Sequence, residues 1–470
     1  MEESLGIGYI MTVAECDLNL TVMQKGLINS AAFIGILSTG IWWGYLSDQY
    51  GRKRVMLPAL LTSCVISFSS TFSTNFISMF LLRLLTGCLV SASSATVFAY
   101  VGEMHDNTRR STAIMYSSTA IAVTFIILPI LGWIILSDTW SYNLGIITVT
   151  PWRVFMWTWL FPGLLAALIL VFLPESPRFL LANKGPEEAR DVLAQMYAKN
   201  LKKKKEEYPV KTISDAAKVA TKHGFKVAFT NLAHLSKPPL RRCVLLSHTS
   251  MFMIFMLNSG LYTWMPDILH VVFMNFDSEV SMCEVMMDNY ASKDKTTSLT
   301  FPLSESKSCD EKLVHFMVYP TSMIMGIMCA VCYVAIGQIV RKYSKIKFYC
   351  VMLASCSIIL AISAVITIPW LAVMMFITGV CSGATASLLS AISVEVFPTN
   401  VRALALCTLY MFGRLGAAVG SNLIGVAVHQ HCQVLFLTMT LGTAASVLLM
   451  CLWPDPKLVR SDMEQHGFGY

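Results

Sequence analysis

Charge is what this chain lacks. Of its 470 residues only 13 % are Asp, Glu, Lys or Arg, against roughly 25 % in soluble domains. A water-soluble fold of this length needs more charge to cover its surface. Disorder is excluded too, because it combines low hydrophobicity with high net charge. Here 55 % of residues are hydrophobic and the mean hydropathy is +0.61. Catalytic signatures are also missing. There is no His-Glu-x-x-His and no Walker loop, so neither a zinc protease nor an ATP-driven machine is expected. Cys329-Ala330-Val331-Cys332 is a lone pair inside an apolar run, without the second pair that zinc ligation takes. No enzyme, cofactor or metal is expected. What remains is a polytopic α-helical membrane protein.

Membrane-crossing helices need about 20 apolar residues each. Such runs lie near 26–46, 55–74, 76–100, 112–136, 152–173, 243–265, 314–337, 348–367, 369–394, 403–427 and 433–453. A twelfth, shorter run opens the chain and ends near Ala14. It reads as an incomplete first span, and the chain as one that starts inside it.

The polar connections fall into two alternating sets. One is basic: Arg52, Lys53 and Arg54; Arg109 and Arg110; the segment 184–242; Arg341, Lys342, Lys345 and Lys347; and Arg402. Between Lys184 and Arg242 there are 14 Lys/Arg against 6 Asp/Glu, so this one segment carries the whole net charge of +7. The other set holds Asp17, Asn19, Asp138 and a mixed-charge loop at 273–313. The positive-inside rule makes the basic set cytoplasmic, with both termini. Nucleic-acid binding is the lesser reading of that charge. Lys202 to Lys205 read as a solvated face in reach of anionic lipid. The sequon Asn19-Leu20-Thr21 then lies outside, where Asn19 is a glycosylation candidate. Most of the 14 cysteines sit in apolar runs, where a thiol is a small hydrophobe. Cys16, Cys283 and Cys309 lie between spans, and Cys283 with Cys309 is the disulfide candidate.

The basic segment divides the chain six spans plus six. The expected organisation is a bundle at 1–173, a basic cytoplasmic loop at 174–242, a second bundle at 243–453 and a tail at 454–470. The halves share landmarks. Glu103 and Arg110 are repeated by Glu395 and Arg402 at an offset of 292, and the 44–54 loop has a worn copy at 337–347, offset 293. Two landmarks at nearly one offset point to a transporter built from two parallel halves.

Gly44-x-x-x-Asp48-x-x-Gly51-Arg52-Lys53-Arg54 sits between the second and third spans. Its glycines permit a tight reversal. Asp48 can meet a helix N-terminus or accept charge-assisted hydrogen bonds. This pattern resembles the signature loop of the major facilitator superfamily. Arg83-x-x-x-Gly87, Pro174-Glu175-Ser176-Pro177-Arg178 and Glu395-Val396-Phe397-Pro398-Thr399-x-x-Arg402 agree with it, the second in the manner of the sugar and organic-ion porter branch. Within that superfamily the chain is similar to the synaptic vesicle glycoprotein 2 group. The likeness rests on Ala14 to Leu18 with Lys25-Gly26-Leu27, Val97 to Tyr100, Trp152 to Phe155, Pro174 to Phe179 and Trp264-Met265-Pro266-Asp267. It departs from that group in lacking a large luminal domain between the seventh and eighth spans.

The resemblance implies a twelve-helix fold of two six-helix bundles that moves a small organic solute by alternating access. It also implies a place in the plasma membrane or an intracellular vesicle membrane. Coupling to a proton or another cation is open. The rival reading is a related membrane protein that binds a ligand or protein partner without transporting. Asp48, Arg52, Arg54, Glu103, Arg110, Glu175, Arg178, Glu395 and Arg402, with Gly44 and Gly51, read as gating charges and turns at inner helix ends. Ionisable residues inside spans are costly and tend to face a cavity. Arg83, Arg414 and Asp267, and Glu3 in the opening span, are therefore substrate-site candidates. Tyr262 and Trp264 beside Asp267 offer an aromatic wall, joined by Phe98, Tyr116 and Trp157, although core packing is the favoured explanation for any one of these aromatics. Glycine stripes at 26, 35, 40 and 44 and at 413, 416, 420 and 425 suit either static packing or sliding between the halves.

Overall fold

The computed structural model describes residues 2–454 apart from 16, 107–108, 144, 146–147, 214–234, 236–237, 239, 278–279, 290–313, 340–343, 398 and 429. Cys309 and the side chains of Arg110, Tyr116 and Arg402 lie outside the described residues. Two short helices, α1 (Glu2–Leu5) and α2 (Ile7–Val13), form the first unit of the bundle. The next four are α3 (Val22–Tyr50), α4 (Arg52–Ser70), α5 (Phe76–Glu103) and α6 (Arg110–Leu136). A two-residue hairpin, β1 (Tyr142–Asn143) with β2 (Thr148–Val149), leads to α7 (Pro151–Thr158) and α8 (Leu160–Phe172), which together make the sixth.

Two short helices follow, α9 (Pro177–Asn183) and α10 (Pro186–Leu201). The second half comprises α11 (Leu240–Met274), α12 (Val318–Ile339), α13 (Lys345–Ser363), α14 (Pro369–Val380) with α15 (Thr385–Val396), α16 (Thr399–Ala427) and α17 (Cys432–Cys451). Among the described residues nine helices are long and apolar enough to cross a bilayer. The opening unit and α4 fall short by length and polarity. In α6 the apolar stretch Ala120–Leu136 is shorter.

The basic loops gather at one end of the bundle, the basic end. The opposite end carries a disulfide and is called here the disulfide end. That bond joins Cys283 to Cys432, 149 residues apart. It corrects the expected Cys283–Cys309 pairing. Cys432 is the first residue of α17 and is fully buried. The sequence shows it as the edge of an apolar run, while the fold brings it to a short helix at 282–289. The amide and hydroxyl of Ser281 cap that helix through Glu284 and hold its carboxyl below the usual range.

Two expected single spans are interrupted, the sixth at Trp159 between α7 and α8. The tenth breaks into a 3-10 turn at Cys381–Ala384. There the Asn258 side-chain amide donates to the Val380 carbonyl, which satisfies the acceptor the break frees. The segment read as a basic loop is partly helical. Ser176 caps α9 by accepting from the Phe179 amide, Pro177 occupies its first turn, and α10 carries Glu187 and Glu188 at its start and Lys199 at its end. Phe179, Leu180 and Ala189 give the pair its own small core.

The halves meet along α3 with α16, α6 with α12, and α2 with α11. Close approaches across this seam cluster toward the disulfide end and the middle. Gly8 lies so near Thr263 that any Cβ would overlap its carbonyl. Gly132 supports the Tyr319 ring, and Gly26 faces Ser421 and Asn422. The remaining glycine stripes serve packing within each half. Gly35 abuts α5, while Gly416 and Gly420 abut the α11 backbone at Phe252 and Met256. Only Gly26 of the α3 stripe meets α16, so sliding between the halves is not what the stripes provide.

Candidate functional site

Arg83, on α5, is 1 % exposed. Its guanidinium donates to Glu3 at 2.5 Å, to the Ser67 hydroxyl at 3.3 Å and to the Ser70 hydroxyl, and it lies 5.3 Å from the Trp159 ring centroid. All these partners belong to the first half. A buried guanidinium needs both a counter-charge and hydrogen bonds, and here α1 and α4 supply them. Glu3 keeps some exposure, at 15 % of its side chain. The arrangement is a buried acid–base pair with a partial opening on the acid.

A second ionic cluster joins the two halves. Lys25, near the start of α3, is 2 % exposed. Its ammonium is 2.6 Å from Glu15, just upstream, and 3.9 Å from Asp267 on α11. Nearby, Asp17 accepts from the Trp152 indole at 2.7 Å and from Thr150 at 3.1 Å, pinning the loop before α3 onto α7. Lys25 was not among the sequence candidates. A signal was there: it is a lysine on the side that the positive-inside rule empties of cations, so it requires acids close by.

Trp264 and Tyr262 diverge on α11. The Trp264 indole donates to the Ser421 carbonyl at 2.8 Å and its ring covers Gly425, both within the second half. The Tyr262 ring crosses the seam to Phe125 at 4.6 Å, and its hydroxyl faces Tyr9. Trp157 instead donates to the Thr71 hydroxyl inside the first half. Arg414, on α16, is half-buried. Its guanidinium carbon lies 5.8 Å from the ring centroids of Phe33 on α3 and Phe255 on α11. One ring comes from each half.

At the basic end the signature loop closes a network inside the first half. Arg52 meets Asp48 at 2.8 Å and Glu103 at 3.0 Å, and donates to the Ser47 carbonyl at 2.9 Å. Glu103 also accepts from the Ser176 hydroxyl at 2.5 Å. Glu175 has a different role from a plain ion-pair partner. It accepts from the backbone amides of Arg52 at 3.0 Å, Lys53 at 3.2 Å and Arg54 at 3.4 Å, so a carboxylate caps the N-terminus of α4. Gly51, at φ 109°, makes this possible, because any side chain there would collide with Glu175. Lys53 caps the other partner, donating to the Val171 and Leu173 carbonyls at 2.8 Å each. Arg54 and Arg178 are exposed, and a side chain at Gly44 would point into open space. In the second half Lys345 pairs with Glu395. Asn19 is exposed in the turn before α3, in the left-handed region at φ 49°.

Known proteins bear on this arrangement. The family described as Major Facilitator Superfamily matches residues 4–287 and 303–465. Rat synaptic vesicle glycoprotein 2A is 29 % identical over 200 residues, which is 42 % of this chain and 27 % of that protein. Rat synaptic vesicle glycoprotein 2C is 27 % identical over 210 residues, 44 % of this chain and 29 % of that protein. The alignments thus span under a third of these curated relatives. The xylose transporter XylE from E. coli, in a partially occluded inward-open conformation, superposes with a TM-score of 0.64 at 13 % identity, covering 96 % of each chain. A crystal structure of a D-xylose–proton symporter gives a TM-score of 0.62 at 15 % identity over 97 % of this chain and 96 % of that one. The chain belongs to the Major Facilitator Superfamily as a multi-pass membrane protein similar to the synaptic vesicle glycoprotein 2 proteins.

Proposed function

We propose that the chain is a secondary transporter that moves a small organic solute across a plasma or vesicle membrane by alternating access. The working units are the bundles 1–173 and 243–453, joined by 174–242 and followed by the tail 454–470. The basic end faces the cytoplasm, with both termini. The observation that carries this reading is the seam between the halves. Tight approaches at Gly8, Gly26 and Gly132 and the Lys25–Asp267 pair lie toward the disulfide end. Among the described residues, the ion pairs of Arg52 with Asp48 and Glu103, and of Lys345 with Glu395, tie elements of one half to each other at the basic end. Two halves held together by tight but non-covalent contacts and an ion pair suit a molecule that rocks between two states.

The Lys25–Asp267 pair is then the latch that holds the outer side shut, and Asp267 acts as a gate rather than as a direct ligand. The basic-end charges, with Arg110, Arg178 and Arg402, keep each half rigid and form its inner gate. Glu3, paired with buried Arg83 and partly exposed, is the group placed to take up a coupling proton. Proton coupling of the D-xylose–proton symporter, similar in fold, supports that part of the reading. The test is uptake of labelled solutes into proteoliposomes, with and without an imposed pH gradient. Saturable accumulation supports the proposal. Tight binding without accumulation favours the non-transporting alternative.

A further inference from the structure

The charges inside the spans do not all stand free to meet a solute. Arg83 is answered by Glu3 at 2.5 Å. Lys25 sits between Glu15 and Asp267. Glu3 and Asp267, two of the few acids within the spans, are thereby engaged. Among the described residues Arg414 forms no ion pair, and its guanidinium instead lies beside Phe33 and Phe255, each at 5.8 Å. One turn away, Tyr410 accepts a hydrogen bond from Ser390 at 2.9 Å and stays 38 % exposed.

We infer that the transported solute is a small organic anion and that Arg414 is its counter-charge. This rests on the transport reading above and names its substrate class. An unpaired guanidinium within a span is costly, and an incoming carboxylate removes that cost by bidentate hydrogen bonding. Phenyl rings on two different halves flank the group, so a bound anion touches both halves at once, as a solute that drives their movement must. The rings also favour a flat, apolar body on the anion. The Lys25 cluster holds two acids for one base, yet its ammonium lies between them and its lysine is 2 % exposed. It therefore offers an organic cation little access.

The experiment measures binding and uptake by the full chain in proteoliposomes for three probe sets. These are aromatic and aliphatic mono- and dicarboxylates with benzoate as the lead, D-xylose as the neutral probe, and phenyltrimethylammonium as the cation. The expected result is saturable accumulation of one or more carboxylates. Arg414→Gln should weaken carboxylate binding at least tenfold and Arg414→Lys should restore part of it. Size-exclusion profiles of both variants report folding, and a merely structural arginine would reduce folded yield without changing the preference between probes. Accumulation of D-xylose or the cation with no carboxylate bound would overturn the inference and leave transport standing. Carboxylate uptake undiminished in Arg414→Gln would overturn the role of Arg414. Absence of binding and uptake for all three sets would remove the transport reading and this inference with it.

Discussion

Replacing Asp267 by Asn tests the latch. The Lys25–Asp267 separation is 3.9 Å and the two side chains are 3 % and 12 % exposed. At an effective dielectric near 20 such a pair is worth about 4 kcal/mol before desolvation. Glu15, nearer to the ammonium at 2.6 Å, already satisfies much of it. A net contribution of about 1–2 kcal/mol to the state closed at the disulfide end is therefore reasonable, a factor of roughly 5 to 30 in population. The control is Glu15→Gln. Glu15 and Lys25 belong to the same half, so rigid-body rocking keeps them together in both states. Removing Glu15 makes Lys25 depend more on Asp267, so this variant should shift the balance the other way. Spin labels attached through a non-cysteine chemistry at Tyr142 and Val280, both exposed near the disulfide end, would report the distance across it. Asp267→Asn should populate a longer distance, Glu15→Gln a shorter one, and a Lys25→Asp, Asp267→Lys exchange should return part of the closed state. Equal shifts for both single variants, or none for Asp267→Asn, would refute the reasoning.

Glu3→Gln leaves Arg83 buried without its counter-charge, a class of change that costs about 3–5 kcal/mol. The expected outcome is a lower unfolding temperature and loss of pH-driven uptake, while exchange of solute without net proton movement persists in the fraction that folds. Cys283→Ser should expose one new thiol, at Cys432, to maleimide under denaturing, non-reducing conditions; peptide mapping that finds Cys309 released instead would contradict the bond described. Expression in a secretory system should give a glycosidase-sensitive form that Asn19→Gln abolishes, which would also place the basic end in the cytoplasm. No mobility shift would contradict use of this sequon.

The membrane fold was legible because bilayer thickness imposes a length on each apolar run and because basic loops alternate with neutral ones. The repeated Glu–Arg spacing gave the two-half plan, and the signature loop gave the network around Arg52. Glu175 was named as a gate charge, yet its capping of α4 emerges only once residues 120 apart meet. Other features were hidden for the same reason. Nothing local tells that Cys432 bonds to Cys283, or that Asn258 satisfies the break in the tenth span. Lys25 looked like the polar edge of an apolar run, and its acids come from a loop and from another half. Arg83 and Arg414 look alike in sequence. Only the placement of Glu3 shows that one is neutralised within its own half and the other is not.

The most direct test of the central account is solute uptake into proteoliposomes by the chain and by its Asp267→Asn variant, measured at several external solute concentrations. The account predicts saturable accumulation that slows in the variant, because weakening the outer latch leaves fewer molecules cycling through the inward-open state, while solute affinity changes little. Absence of saturable accumulation for a solute that nevertheless binds would contradict it.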